Sequence, residues 1–469
     1  MSVDRDRLAR IIVSGIRDIE EWRLGDPELA KAKGYPREFP AELLDDYGML
    51  FIDLTLDAAD GSLVCHEVNG PNAVGSDALT GDSTARAENE ARQAVRRVRE
   101  FGYVNADGSL GTKVVTVHAH QHWQFFRTGG EFFPRVARFA DILESLVPGN
   151  TVSCLSANDA LGEDDVSVVM GDVPAVCANI TVNPQSGMFE YLGRPIVFMG
   201  NPNLIPELER IGRVSHLCRT SGEVNLRPMH AWRLCGLVHD KAGQQDLFDN
   251  TGVRPLRHFT AGSVEEALQK SKEMLATGPV VLKPSDTSGG TGVCVVVPGM
   301  TDSEILGALE TLQSECREKY GENIEDVIFP VQGFEFVRAT SYPMDDGDHL
   351  WDLRMAVLFE PGKAFAYPVS LRLTPEPFDN ATFHANRRQW ISNVSGRRET
   401  LLKSGMDDDV LRKVGMTDEL MEQAMKACVR WTMKAWDCSV RDGGKGGAVY
   451  EDFCEEADKP FYRPEKFKA

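Results

Sequence analysis

The sequence predicts an α/β protein of two or three packed lobes, and three observations carry that expectation. The chain has 469 residues, more than one hydrophobic core usually organises. Apolar residues make up 42% and charged residues 26%, the proportions of an ordinary globular chain. Between residues 113 and 200 the pattern runs strand, helix, strand, which favours partly parallel strands with helices laid on them.

In chain order, apolar residues recur at helical spacing from Leu8 to Trp22 with acids among them, which marks an amphipathic helix rather than an export signal. After the turn-rich KGYPREFP, the runs MLFIDLTLD (49–57) and SLVCHEVNG (62–70) flank Asp60-Gly61 and predict a hairpin. Residues 82–102 predict a polar helix with Asp82 or Ser83 as its N-cap, and NADGSLG (105–111) reads as a linker. The strand KVVTVHA, a turn at Gly129-Gly130 and the helix FFPRVARFADILESL follow. The strands VSVVMGD and RPIVFMG come next, with a helix-free bend between them. Beyond Met229 the expected elements are helices over 231–252 and 263–278, a strand over 279–286, strand pairs over 327–337 and 350–374, and a long helix over 417–436. These breaks divide the chain into an N-terminal segment (1–108), an α/β lobe (109–228) and a C-terminal core (229–469).

A formal charge of -20 repels phosphate polymers and anionic membrane surfaces, so nucleic acid and membranes are not expected partners. No apolar run of spanning length occurs, and ten cysteines without a CxxC pair read as reduced thiols, so a cytoplasmic location is expected. The oligomeric state is left open, a homodimer included. A nucleotide site in so acidic a chain has to supply its own cations and backbone amides.

VVLKPSDTSGGTGV (280–293) offers such a supply. A buried-type strand aims Lys283, and Ser288, Gly289, Gly290, Thr291 and Gly292 let backbone N–H groups approach phosphate oxygens. A ligand-free glycine hairpin is the plain alternative. No GK[ST] opens a helix here, so the segment is not a Walker loop. On one strand, residues i and i+2 share a face, so Glu67 and Asn69 of CHEVNG can grip the same Mg2+. Arg354 and Arg372, on adjacent strands, can converge on a phosphoryl group or form strand-edge salt bridges.

The strand-Lys-Pro-glycine segment, preceded by HDKAGQQDLFDNTGVRPLRHF (239–259) and followed by IFPVQGFEFV (328–337), DLRMAVLF, SLRLT and ISNVSG, resembles the ATP-grasp ligases. The resemblance implies two α+β lobes clasping ATP, with a preceding α/β lobe. It also implies Lys241 and Lys283 as nucleotide lysines, Gln332 and Glu335 at the adenine hinge, and Arg354, Arg372 and Asn393 as catalytic groups. Gly333 departs from the family pattern at the hinge. The family's closing hairpin with Glu-x-Asn is missing at the C-terminus, whereas residues 49–79 are similar to it, with Asp53, Glu67 and Asn69 as the implied metal ligands. Either the chain is circularly permuted, or Asp437 and Glu451 near its end hold the metal. The implied activity is an ATP- and Mg2+-dependent ligation of a small-molecule carboxylate to an amine, with a small-molecule kinase or a binding module without turnover as alternatives. HAHQH (118–122) reads as a transition-metal site, a substrate or lobe contact, or plain structure.

Overall fold

The structure is a computed structural model that describes residues 35–38, 44–70, 83–120, 135–201, 204–215, 224–234, 240–284, 291–320, 330–392, 401–405 and 407–441. The expected helix at 8–22 lies outside them.

The described residues begin with β1 (Tyr35–Glu38), β2 (Gly48–Leu56) and β3 (Leu63–Asn69), the last two forming the expected hairpin. Gly61 closes its turn at φ +73, a conformation that costs little without a Cβ. Helix α1 (Ser83–Glu100) follows, and it buries two stripes. Ala87, Ala91, Ala94, Val95 and Val98 pack into one core, while Asn89 and Gln93 bond elsewhere. Asn89 donates to the Phe359 carbonyl at 2.7 Å and Gln93 to the Met229 carbonyl at 3.0 Å, so the helix joins two sheets. The expected linker after it is a tight turn in which the Asn105 N–H donates to the Ser109 carbonyl.

The second section contains β4 (Val114–His120), helix α2 (135–146), β5 (Val152–Ser156), β6 (Val166–Asp172), α3 (Val173–Cys177), β7 (Ile180–Val182), β8 (Phe189–Tyr191), β9 (Arg194–Met199) and α4 (Leu204–Arg210). Its sheet order is β5-β6-β4-β9-β8-β7; β5, β6, β4 and β9 run parallel, as the strand-helix-strand order predicts. The stretch between β6 and β9 corrects the sequence reading. It holds a helical turn with Pro174 in its first turn, where no N–H is needed, and the β7–β8 pair.

The third section has α5 (Lys241–Asp246), β10 (His258–Ala261), α6 (Val264–Leu275), β11 (Val280–Pro284), β12 (Cys294–Val296), α7 (Asp302–Tyr320) and β13 (Val331–Glu335). The strands form an antiparallel sheet of order β10-β13-β11-β12, packed by α6 and α7 through Ala267, Leu282, Ile305, Leu309 and Val331. The single helix expected over 231–252 is instead a 3-10 turn (Trp232–Leu234) and the short α5, because Asp240 caps a new start by accepting from the Gly243 N–H.

The chain ends its described course with β14 (Tyr342–Met344), β15 (Gly347–His349), β16 (Trp351–Glu360), β17 (Lys363–Leu373), β18 (Leu401–Ser404), α8 (Asp408–Lys413) and α9 (Asp418–Arg441). β16 and β17 pair with each other, β1 and β18 both pair with β17, and β2 and β3 continue the sheet beyond β16. The N-terminal hairpin and the C-terminal strands are thus one antiparallel sheet. α9 covers one face, burying Trp431 and Trp436 among Ile52, Met355, Val357 and Leu371. The other face carries charge.

Candidate active site

Register decides which side chains share that charged face. Asp53 lies opposite Glu67 on one side and opposite Arg354 on the other, and Asp352 lies opposite Arg372. Directly opposed residues of an antiparallel pair project together, and positions i and i+2 repeat the face. Asn69, two residues beyond Glu67, therefore joins the row, as the sequence spacing predicts.

Asp53 is the anionic centre. It is 1% exposed; Arg354 donates from Nε and Nη2 at 2.8 Å each, Arg372 Nη2 lies at 2.8 Å, and Asn69 Nδ2 donates at 3.0 Å. Burial alone would raise its pKa, but the two guanidiniums prevail and hold the carboxyl down at about 2. Arg372 also donates from Nε to Asp352, whose second oxygen accepts from the Ser392 hydroxyl. Burial raises the Asp352 pKa, with the neighbouring Asp53 charge adding to it against the pull of Arg372. The two arginines converge as expected, but on carboxylates of the chain.

A bulge beside this row brings in a residue that sequence reading missed. Asp53 faces Glu67 and Leu54 faces Cys65, which leaves His66 as the extra residue of β3. Burial and then the Lys283 ammonium push its pKa down to about 4, so it is neutral near pH 7.

The lysines arrive from other elements. Lys241 opens α5 and is 7% exposed, with Nζ 3.8 Å from Glu67 Oε1. Its helix is fixed against the outer edge of β3 by two glutamines. Gln244 accepts from the Val68 N–H and donates to the Val68 carbonyl, both at 3.0 Å, and Gln245 donates to the Cys65 carbonyl at 3.2 Å. The strand edge at Cys65 and Val68 is thereby satisfied by side chains, while Leu63 accepts from the Arg254 N–H. Lys283, near the end of β11, lies opposite Gln332 and 5.2 Å from the Phe334 ring centroid. Burial lowers its pKa, Glu67 opposes that shift, and Lys241 adds to it.

Gln332 shares the face of Lys283, is 2% exposed, and donates to Asp240 at 3.0 Å, while its buried Oε1 has no partner among the described residues. Glu335, three residues on, faces the other way and pairs with Arg254 and Arg257, so the structure does not bring it to the lysines. Thr291 and Gly292 are described; Ser288, Gly289, Gly290, Asn393 and Glu451, and the side chain of Asp437, lie outside the described residues. Asp437 itself stands in α9 rather than on a closing strand.

His118 has a structural surrounding. It is 1% exposed, its ring sits 4.4 Å from that of Phe139 and 5.2 Å from that of Phe198, and burial pushes its pKa to about 3. The His120 side chain and His122 lie outside the described residues. Among the described residues no group of three or more His, Cys, Asp or Glu is arranged to hold a metal, and no helix is long and apolar enough to cross a membrane.

Lys241, Lys283, Arg354 and Arg372 thus gather beside Asp53, Glu67, Asp352 and Asp240, a concentration of cations in an acidic chain. No protein-family model and no curated protein matches the sequence. Among solved structures, the chain is similar to a glutathione synthetase-like effector from Globodera pallida in its apo form, at 14% identity over 79% of this chain and 83% of that one, with a TM-score of 0.36. It is also similar to D-alanyl-alanine synthetase A from Vibrio cholerae, at 10% identity over 70% and 82% of the two chains, with a TM-score of 0.35. A third similar structure is the biotin carboxylase of Campylobacter jejuni in a β-γ-ATP complex, at 14% identity over 66% and 73%, with a TM-score of 0.27.

Proposed function

We propose that the chain is an ATP-dependent ligase of the ATP-grasp type, which activates a carboxylate as an acyl phosphate and couples it to an amine. The observation that carries this reading is the meeting of Lys241, Lys283 and Glu67, from three separate elements, beside the paired arginines. Two ammonium groups beside the arginine pair suit a triphosphate, and the buried Gln332 Oε1, which has no partner among the described residues, suits the amino group of a base.

The donor set also fits magnesium, which takes hard oxygens shared with phosphates. Glu67 and the Asn69 carbonyl oxygen are its proposed ligands. Asp53, with both oxygens engaged by guanidinium and amide donors, is assigned to hold the arginines rather than the ion. When bound, the ion neutralises charge on the β- and γ-phosphates. Lys241 and Lys283 hold phosphate oxygens. The substrate carboxylate attacks the γ-phosphorus, ADP leaves, and Arg354 and Arg372, kept rigid by Asp53 and Asp352, stabilise the developing charge. The amine then attacks the acyl carbon, phosphate leaves, and the amine proton passes to solvent. No nucleophilic side chain is needed.

An ADP-release screen over carboxylic acids and amines, with hydroxylamine as a trap, tests this reading. Acid-dependent ADP formation with hydroxamate is the predicted result. A stable phosphoester would make the chain a kinase, and nucleotide binding without ADP release would make it a binding module.

A further inference from the structure

His66 has no part in the ligation steps above, yet the fold turns it towards the groups that would carry them out. Leu63, Cys65 and Val68 of β3 all lie in the core under α9. A regular strand alternates its faces, so the two residues between Cys65 and Val68 can both turn away from that core only because the strand bulges there. Glu67 is one of them, and His66 is the other. The bulge therefore sets an imidazole beside the proposed magnesium ligand on the charged face.

The surroundings of the ring are ionic. Val64, on the side of β3 away from the α9 core, packs in one cluster with Phe334, and Lys283 Nζ stands 5.2 Å from the Phe334 ring centroid. After burial, the influences on the imidazole are the charges of Lys283, Asp53, Arg372 and Glu67, in that order. Three of these have ion-pair partners elsewhere: Asp53 and Asp352 hold Arg372, Arg354 also holds Asp53, and Glu67 faces Lys241 at 3.8 Å. The histidine is partly exposed, and among the described residues no hydrogen bond reaches either ring nitrogen.

A histidine kept for structure alone ordinarily ties a ring nitrogen to a neighbour, whereas an untied one between an ammonium and a guanidinium is placed to meet a ligand. Neutral or protonated, the imidazole keeps an N–H to donate, and phosphoryl oxygens are charged acceptors. We infer that His66 is a further catalytic residue, whose ring N–H donates to the γ-phosphoryl group between Lys283 and Arg372, favouring triphosphate over diphosphate and steadying the group during transfer. The inference rests on the nucleotide reading above and names a residue within it.

The test is calorimetric titration with a non-hydrolysable ATP analogue and with ADP, both in magnesium, which separates a γ-phosphate contact from a general one. Wild type, His66→Phe, His66→Gln and Lys283→Ala are compared. His66→Phe is expected to bind the analogue roughly 10-fold more weakly and ADP within about 2-fold of wild type. His66→Gln, whose amide N–H can replace the ring donor, should recover most of the analogue affinity, whereas Lys283→Ala should weaken both nucleotides. A second readout needs only the wild type to be well folded. The His66 ring NMR signals, assigned by their loss in His66→Gln, should move on adding the analogue and much less on adding ADP. Equal losses for the two nucleotides in His66→Phe, unchanged affinity for both, or ring signals that respond to the two alike would overturn the inference, and with Lys283→Ala still impaired the nucleotide reading would stand. No nucleotide binding by the wild type would instead sink that reading, and the inference with it.

Discussion

Replacing Asp53 by Asn probes the charged face at its centre. The change is nearly isosteric, so cavity terms are small, but it removes the charge that two buried guanidiniums share. Arg354 and Arg372 are 5% and 8% exposed, and Arg372 keeps Asp352 as a partner. Breaking a buried pair of this kind typically costs about 3–5 kcal/mol, and the partner left to Arg372 places the expected loss near the lower figure. Linkage gives an independent figure. A carboxyl lowered from 3.8 to about 2 contributes about 2 kcal/mol at neutral pH, since one pKa unit is about 1.4 kcal/mol. Because the folded pKa lies below the unfolded one, that contribution is present above pH 3.8 and is lost as pH falls towards 2. The assay is urea unfolding of wild type and Asp53→Asn at neutral pH, followed by circular dichroism. A loss of about 2–4 kcal/mol is predicted. A loss under about 0.5 kcal/mol would refute the claim that Asp53 anchors the arginines.

Three further outcomes follow from the same structure. His118 and His230 are both buried with pKa values pushed down to about 3, so the unfolded chain binds their protons first. Stability should be complete above about pH 6.5 and fall by up to roughly 1.4 kcal/mol per pH unit for each ring down towards pH 3; His118→Phe should flatten that slope in melts between pH 7.5 and 5. Gly292→Ala should destabilise by roughly 1–3 kcal/mol and weaken nucleotide binding, because the new Cβ meets Cys316 Sγ at 2.7 Å and the Leu312 carbonyl at 3.2 Å in a backbone conformation that disfavours it. Trp431→Ala should cost about 3–5 kcal/mol in urea unfolding, since the indole is fully buried and its N–H donates to the Gln244 carbonyl at 3.0 Å, behind the glutamines that seat β3.

Local chemistry made part of this arrangement readable in the sequence. The hairpin around Asp60-Gly61, the strands over 351–373 and the parallel order around β4 follow from periodicity and turn residues, because those signals act over neighbouring positions. The shared face of Glu67 and Asn69 follows from strand geometry. What escaped depends on register and on distant partners. Asp352 carries no motif, and only its position opposite Arg372 makes it part of the network. His66 enters through a bulge, which shifts facing by one residue and which strand patterning does not reveal. Glu335 lies one position out of phase with Gln332, and the departure at Gly333 was the available warning. Gln244 and Gln245 carry no sequence signal; their bonds to the β3 backbone depend on the packing of α5 beside that strand. Helix α7 is absent from the sequence expectations, although Ile305, Leu309, Leu312 and Cys316 recur at helical spacing.

The central claim is that the N-terminal hairpin and the lysines of the C-terminal half grip one magnesium-bound triphosphate. Titrating a non-hydrolysable ATP analogue into wild type and Glu67→Gln, each with and without magnesium, tests it most directly. Binding should depend on magnesium in the wild type and, in Glu67→Gln, should be at least about 10-fold weaker and no longer improved by magnesium. Equal affinity and equal magnesium dependence in the two proteins would contradict it.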